Sequence, residues 1–144
     1  MEKYAQSVML ILATVIYLSY LPVSQALGLP DLQVIGTSIH GGEVIDEGVK
    51  VLNVSIKNFG KDAFQSFCVA VEVDGEIKGV KEKDGLRGGL TKNASFSLSF
   101  APGDHLVRIF VDFYNQICEE NEQNNERVIL VHVREIEPDL IVYD

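Results

Sequence analysis

Ala94-Ser95-Phe96-Ser97-Leu98-Ser99-Phe100 places an apolar residue at every second position and a serine at each position between. Successive side chains of a β-strand point to opposite faces, so Ala94, Phe96, Leu98 and Phe100 face a core and the three serines face water. A helix, with about 3.6 residues per turn, would scatter the same four apolar residues around its circumference. The alternation recurs on both sides of this stretch. Upstream lie runs at 31–39, 49–58, 64–73 and 76–83. In the second, Leu52, Val54 and Ile56 share a face opposite Asn53, Ser55 and Lys57; in the third, Phe67, Val69, Val71 and Val73 turn inward. Asp74-Gly75 joins the third run to the fourth, as a two-residue hairpin turn requires. Downstream lie 106–113, with Val107, Ile109 and Val111 inward, and 127–133.

Seven runs over about 105 residues, with turns roughly every 8–12, read as two antiparallel sheets packed face to face. The expected fold is all-β: a seven-stranded antiparallel β-sandwich of the immunoglobulin or fibronectin-III kind. Its core is drawn from Phe67, Val69, Val71, Phe96, Leu98, Ile109 and Val111. Gly85-Leu86-Arg87-Gly88-Gly89 lacks the Lys-Ser/Thr of a phosphate loop and reads as a flexible link.

Residues 8–21 (VMLILATVIYLSYL) carry no charge and precede Pro22-Val23-Ser24-Gln25-Ala26. A run of 14 residues suits the apolar region of a signal peptide better than a bilayer span, which needs about 20. Ser24 and Ala26 supply small residues for cleavage after Ala26. Left uncleaved, the segment is a membrane anchor helix. The expected organisation is therefore a signal peptide or anchor at 1–26, a linker at 27–30, the sandwich at 31–135, and a closing linker at 136–144. Pro30-Asp31-Leu32-Gln33-Val34 recurs as Pro138-Asp139-Leu140-Ile141-Val142, one domain length later, so 136–144 also reads as the start of a second copy.

The exported part is acidic. The whole chain has 12 Lys and Arg against 21 Asp and Glu, a net charge of −9, which disfavours nucleic acid because phosphate contacts need a basic face. Membrane contact is expected only through 8–21, and only if that segment is retained.

The most specific string closes the sandwich: Val111-Asp112-Phe113-Tyr114-Asn115-Gln116-Ile117-Cys118-Glu119-Glu120-Asn121-Glu122-Gln123-Asn124-Asn125. With Asn58-Phe59-Gly60, Val73-Asp74-Gly75 and Pro30-Asp31-Leu32, this resembles the CARDB family, a cell-adhesion-related extracellular domain. The resemblance covers roughly 30–135. It implies a seven-stranded sandwich, often in tandem in secreted or surface proteins of bacteria and archaea, with no catalytic residues. The chain departs from the family in having no Trp, with only Phe96 and Phe100 as aromatics in its fifth run, and in carrying two Cys.

Several constellations are candidates for chemistry. Asp112, Glu119, Glu120 and Glu122 crowd hard oxygens that Ca²⁺ favours, but their spacing is not an EF-hand and no Gly marks a calcium-loop turn. The favoured reading needs no metal or other cofactor: Asn115, Asn124 and Asn125 fix the connection by bonding backbone groups. On that reading Asn115 and Asn125 are the most buried and the Glu residues face water. Cys68 and Cys118 are expected to pair in an oxidising compartment, closing a peripheral loop. Asn53-Val54-Ser55 and Asn93-Ala94-Ser95 are N-glycosylation sequons, with Asn53 facing outward and Asn93 at the start of a strand.

His40, His105 and His132 fit no zinc spacing, and Asp104-His105 has no accompanying nucleophile elbow. Lys78, Lys81, Lys83, Arg87 and Lys92 form a basic stretch. It reads as a solvated face, or as one of two oppositely charged ends that orient neighbouring copies.

The function these residues point to is a non-enzymatic module, secreted or on the cell surface, that adheres, spaces, or binds other extracellular domains and surface proteins. The alternatives are a Ca²⁺- or carbohydrate-dependent binding module and an accessory domain of a larger secreted enzyme.

Overall fold

The alternating serine stretch forms the second half of a ten-residue strand, with Ala94, Phe96, Leu98 and Phe100 buried and Ser95, Ser97 and Ser99 exposed. The structure is a computed structural model and describes residues 28–42 and 44–138. The signal or anchor segment 1–26 and the repeat from Asp139 onward lie outside the described residues.

Eight strands follow in chain order: β1 (Leu32–Ile39), β2 (Val44–Asp46), β3 (Gly48–Asn58), β4 (Phe67–Val73), β5 (Glu76–Lys83), β6 (Thr91–Phe100), β7 (Gly103–Val111) and β8 (Glu126–Arg134). They form a three-stranded sheet, β1-β3-β6, and a five-stranded sheet, β2-β8-β7-β4-β5. All pairs are antiparallel except β2 with β8. No helix occurs among the described residues.

The expected count of seven is corrected to eight by β2. Three residues are too few to show alternation, and only Ile45 of the three is buried. The neighbouring Gly41, Gly42 and Gly48 all have positive φ, so the region reads as turn in the sequence. Several expected strand limits also shift, β6 beginning at Thr91 rather than Ala94 and β7 at Gly103 rather than Leu106. Phe64 is 84% exposed and β4 begins only at Phe67. β7 stops at Val111 because Asp112 takes a left-handed φ of 50°, which extended backbone cannot accommodate.

The remaining pattern holds. Phe67, Leu52, Val54, Ile56, Val69, Val71, Val107 and Ile109 are fully buried between the sheets, and Phe96, Leu98 and Val111 are nearly so. At the β4–β5 turn Asp74 and Gly75 have φ of 52° and 86°. Positive φ at both central residues is what a type I′ turn needs, and Asp and Gly tolerate it best.

Candidate functional site: the acidic loop and the clasp beneath it

Residues 112–125 leave β7 at a kink and return to β8 by a path that side-chain carboxylates hold in place. Asp112 is buried and accepts two backbone N–H bonds, from Gln116 to Oδ1 at 2.9 Å and from Ile117 to Oδ2 at 2.8 Å. The Asn115 N–H donates to the Asp112 carbonyl at 2.7 Å. Asn115 takes a φ of 52°, the left-handed turn that asparagine tolerates. Gln123 N–H donates to the Asn121 side chain at 3.0 Å. The loop is thus locked by local side chain–to–backbone bonds, each worth about 1 kcal/mol net.

Glu119 reaches beyond the loop. Its side chain is only 5% exposed; Oε2 accepts the backbone N–H of Leu32, and Oε1 accepts the Asn125 amide at 2.8 Å. Leu32 opens β1 in the opposite sheet, so one carboxylate joins the two layers. Neighbouring bonds converge on the same short segment. Glu120 N–H donates to the Pro30 carbonyl at 2.8 Å, and Asn124 Nδ2 donates to Asp31 Oδ1 at 2.7 Å.

From the other side Asn58, fully buried at the end of β3, accepts from Asp31 N–H at 3.0 Å and Gly60 N–H at 2.9 Å. Its amide donates to the carbonyls of Lys61 at 2.6 Å and Leu86 at 2.7 Å. Phe59 N–H donates to the Asp31 carbonyl at 2.7 Å. A Cβ on Gly60 would stand 2.1 Å from the Leu29 carbonyl oxygen, so only glycine fits there.

This arrangement corrects the expected burial. Asn115 is exposed, Asn124 and Asn125 are half-buried, and the most enclosed groups are Asp112 and Glu119. Glu120 and Glu122 do face water. The reason is geometric. A short Asn side chain turns its own backbone, whereas the longer Glu119 chain spans the gap to β1.

The proposed Ca²⁺ ligands do not converge. The oxygens of Asp112 and Glu119 already hold N–H groups, and Glu122 Oε1 accepts the Glu119 N–H at 2.8 Å. Among the described residues no group of three His, Cys, Asp or Glu side chains is placed to hold a metal ion. Two oxygens remain buried without partners, Asn124 Oδ1 and Asn125 Oδ1.

Cys68 and Cys118 are free thiols in the structure, half-buried and exposed respectively, so the expected bond is not formed there. The contact beside Cys68 is instead the backbone bond from Phe113 N–H to its carbonyl, at 2.9 Å. Burial, with Glu82 and Asp112 adding negative charge, raises the Cys68 thiol pKa.

The two sequons lie side by side on the outer face of the three-stranded sheet. Asn53 pairs with Ser95 and Ser55 with Asn93 in register, and the serine hydroxyls donate to the asparagine oxygens at 2.6 and 2.9 Å. His105 Nδ1 meets Asp74 at 2.6 Å and His132 Nδ1 meets Asp104 at 2.6 Å, two separate pairs and no triad.

The basic stretch is not at an opposite end. Lys83 stands across from Phe67, and Leu86 bridges Ala63. Ala63 in turn shares a shallow groove with Ile117 and Cys118. Arg87 and Lys83 therefore sit at the same end as the acidic loop.

The outer face of the five-stranded sheet was not anticipated. Leu106 and Leu130 are directly opposed on β7 and β8. Both are about half exposed, as are Val128 and Val44, with Ile77 and Val80 further across on β5. Within this face Arg108 Nε bonds Glu126 at 2.7 Å, Nη1 reaches Glu72 at 3.4 Å, and the guanidinium carbon lies 5.1 Å from the Phe110 ring. The signal was present in the sequence: Leu106, Val128 and Leu130 have the parity opposite to the core residues of their own strands.

Burial pushes the Glu119 carboxyl up to about 7. The Leu32 and Asn125 bonds oppose that rise, and the charges of Glu122 and Asp112 add to it. Because the folded-state value lies above the ordinary 4.5, the folded protein binds the proton more tightly. The contribution of Glu119 to stability is therefore fully present below about pH 4.5 and is lost as pH rises through 7. His105, raised mainly by its Asp74 bond and then by the Ala101 carbonyl, acts in the same direction but only above its ordinary 6.5. Urea unfolding between pH 5 and 6.5 therefore isolates Glu119. The native chain should lose stability across that range, by on the order of 1 kcal/mol. Glu119→Gln, whose amide lets a flipped Asn125 offer its orphan oxygen, should show no such slope.

The family model described as CARDB matches residues 29–128. No curated protein matches the chain. Among solved structures, the crystal structure of the CARDB domain of a Pyrococcus furiosus protein, in complex with di-metal ions, is 25% identical with a TM-score of 0.63, covering 76% of this chain and 96% of that one. The solution structure of that domain is 26% identical, with a TM-score of 0.62 and coverages of 74% and 96%. A Methanosarcina acetivorans domain, described as belonging to a cell surface protein, is 28% identical with a TM-score of 0.63, covering 73% and 92%. With a family model spanning well over half of its length, and an immunoglobulin-like arrangement of two packed sheets, the chain belongs to the CARDB family.

Proposed function

We propose that the chain is a non-catalytic module, secreted or held at the cell surface, that binds and positions other surface proteins through its exposed faces. The observation that carries this is the outer face of the five-stranded sheet. Solvent-facing strands normally show polar residues there, yet Leu106, Leu130, Val128 and Val44 form an apolar strip beside the Glu72–Arg108–Glu126 ion pairs. An apolar centre with an embedded arginine is the composition of a protein-binding surface. The apolar segment 8–21 and the sequons at Asn53 and Asn93 support export, and the Methanosarcina neighbour is described as a cell surface protein. The acidic loop supports a non-catalytic reading in its own way, because its two buried carboxylates are engaged with backbone N–H groups of the fold.

A second reading, a divalent-cation-dependent module, is favoured by one specific feature. Asn124 Oδ1 and Asn125 Oδ1 are buried acceptors without donors, beside Glu119 and Asp31. Such oxygens suit Ca²⁺, and the Pyrococcus domain is described as a complex with di-metal ions.

The first reading is tested by binding of the purified chain to cells of its host. Leu106→Lys with Leu130→Lys should lower binding by about tenfold or more, the scale of losing a buried anchor pair, with the melting temperature unchanged. Equal binding would move the function off this face. For the second reading, calcium titration should shift amide resonances confined to 112–126 and raise the melting temperature. No change at millimolar calcium would leave the loop as a clasp only.

A further inference from the structure

Strand β6 is an edge of the three-stranded sheet and, among the described residues, pairs only with β3. The direction of its backbone groups follows from the ladder. Asn58 N–H bonds the Leu90 carbonyl and His40 N–H bonds the Val51 carbonyl. Antiparallel pairs alternate between bonded and non-bonded positions, so even-numbered residues of β6 bond to β3. The N–H and C=O groups of Asn93, Ser95, Ser97 and Ser99 therefore point out of the edge.

Natural sheets blunt such edges with charges, proline, bulges or shortness. The other three edges do so. β1 carries a register shift between Val34 and Gly36, β2 is three residues long, and β5 bears Glu76, Lys78, Lys81, Glu82 and Lys83. β6 has none of these devices. It runs in unbroken register from Thr91 to Phe100, with no proline and no charge after Lys92. β5 does not hydrogen-bond to it and packs against the Phe96 ring, with Gly79 beside that ring and Lys81 Nζ 5.6 Å from its centroid.

We propose that this edge pairs antiparallel with β6 of a second copy of the chain, with Ser97 on the two-fold axis, joining two three-stranded sheets into one of six strands. The edge is complementary to itself. With Ser97 opposite Ser97, Ser95 meets Ser99, Phe96 meets Leu98, and Ala94 meets Phe100. Serine faces serine on the outer surface, and apolar residues continue the core face. A shift of one residue would set serines against core residues. A chain of net charge −9 repels its own copies, and residues 94–100 form an uncharged strip along which two copies meet with no like charges opposed. Such a pair is isologous and closes on itself, so it ends at a dimer.

The test is position-specific crosslinking of the full chain, with Cys68 and Cys118 replaced by serine. Cα atoms of a hydrogen-bonded antiparallel pair lie about 5.5 Å apart, within disulfide range. On mild oxidation Ser97→Cys should form a disulfide dimer by itself. Ser95→Cys and Ser99→Cys should each stay uncrosslinked alone and crosslink when mixed. Adding Ser97→Lys to both partners of that mixture should abolish the mixed dimer. All three serines are exposed, so circular dichroism should report an unchanged fold. A Ser97→Cys chain that remains uncrosslinked would overturn the proposal. So would equal crosslinking of all three single variants, the mark of association through another segment such as 8–21.

Discussion

The carboxylate of Glu119 accepting the backbone N–H of Leu32 is the contact on which the arrangement of this sandwich depends. A β-sandwich is held mainly by side chains interdigitating between two sheets, and that contact is non-directional. Apolar packing alone does not say where the first strand should begin. A buried carboxylate bonded to a buried N–H does, because leaving either group unsatisfied costs about 1–3 kcal/mol. Glu119 sits on the connection between β7 and β8, in one sheet, and Leu32 opens β1 in the other. The bond therefore sets the registration of the two layers as well as their attachment.

The Pro30-Asp31-Leu32 segment is where several such constraints meet. Glu120 and Asn124 hold it from the acidic loop, while Asn58 and Phe59 hold it from the end of β3. Asn58 uses both donors and its acceptor, so its fully buried amide leaves no polar atom unsatisfied. Clamping the first strand from two loops makes the domain self-contained at that end.

Much of this was legible in the sequence, for reasons that differ by element. Residues 94–100 and 49–58 alternate because one face is buried and the other wet, so their strands and inward residues could be read directly. β2 could not, since its contribution is one isoleucine between glycine turns. The acidic loop was legible as a motif and misread in its energetics. The expected clasp of side chain–to–backbone bonds was assigned to the asparagines with the glutamates in water, whereas Asp112 and Glu119 carry it, accepting N–H groups of their own loop and of a strand 87 residues away. Asn58 was visible only as part of a short string, because its role needs Asp31, Lys61 and Leu86 brought together. The apolar outer face was written in the parity of Leu106, Val128 and Leu130, which alternation read for a core alone passes over.

Two of the loop acids, Asp112 and Glu119, are thus committed to the interior, and the proposed function rests on the sheet faces and edges. Amide hydrogen exchange at Leu32, compared between the native chain and Glu119→Ala, tests that account most directly. The account expects exchange at Leu32 to quicken by about tenfold or more, as loss of about 1.4 kcal/mol of local protection implies, while amides in the middle of β3 change far less. Unchanged protection at Leu32, or a uniform change across both sheets, would contradict it.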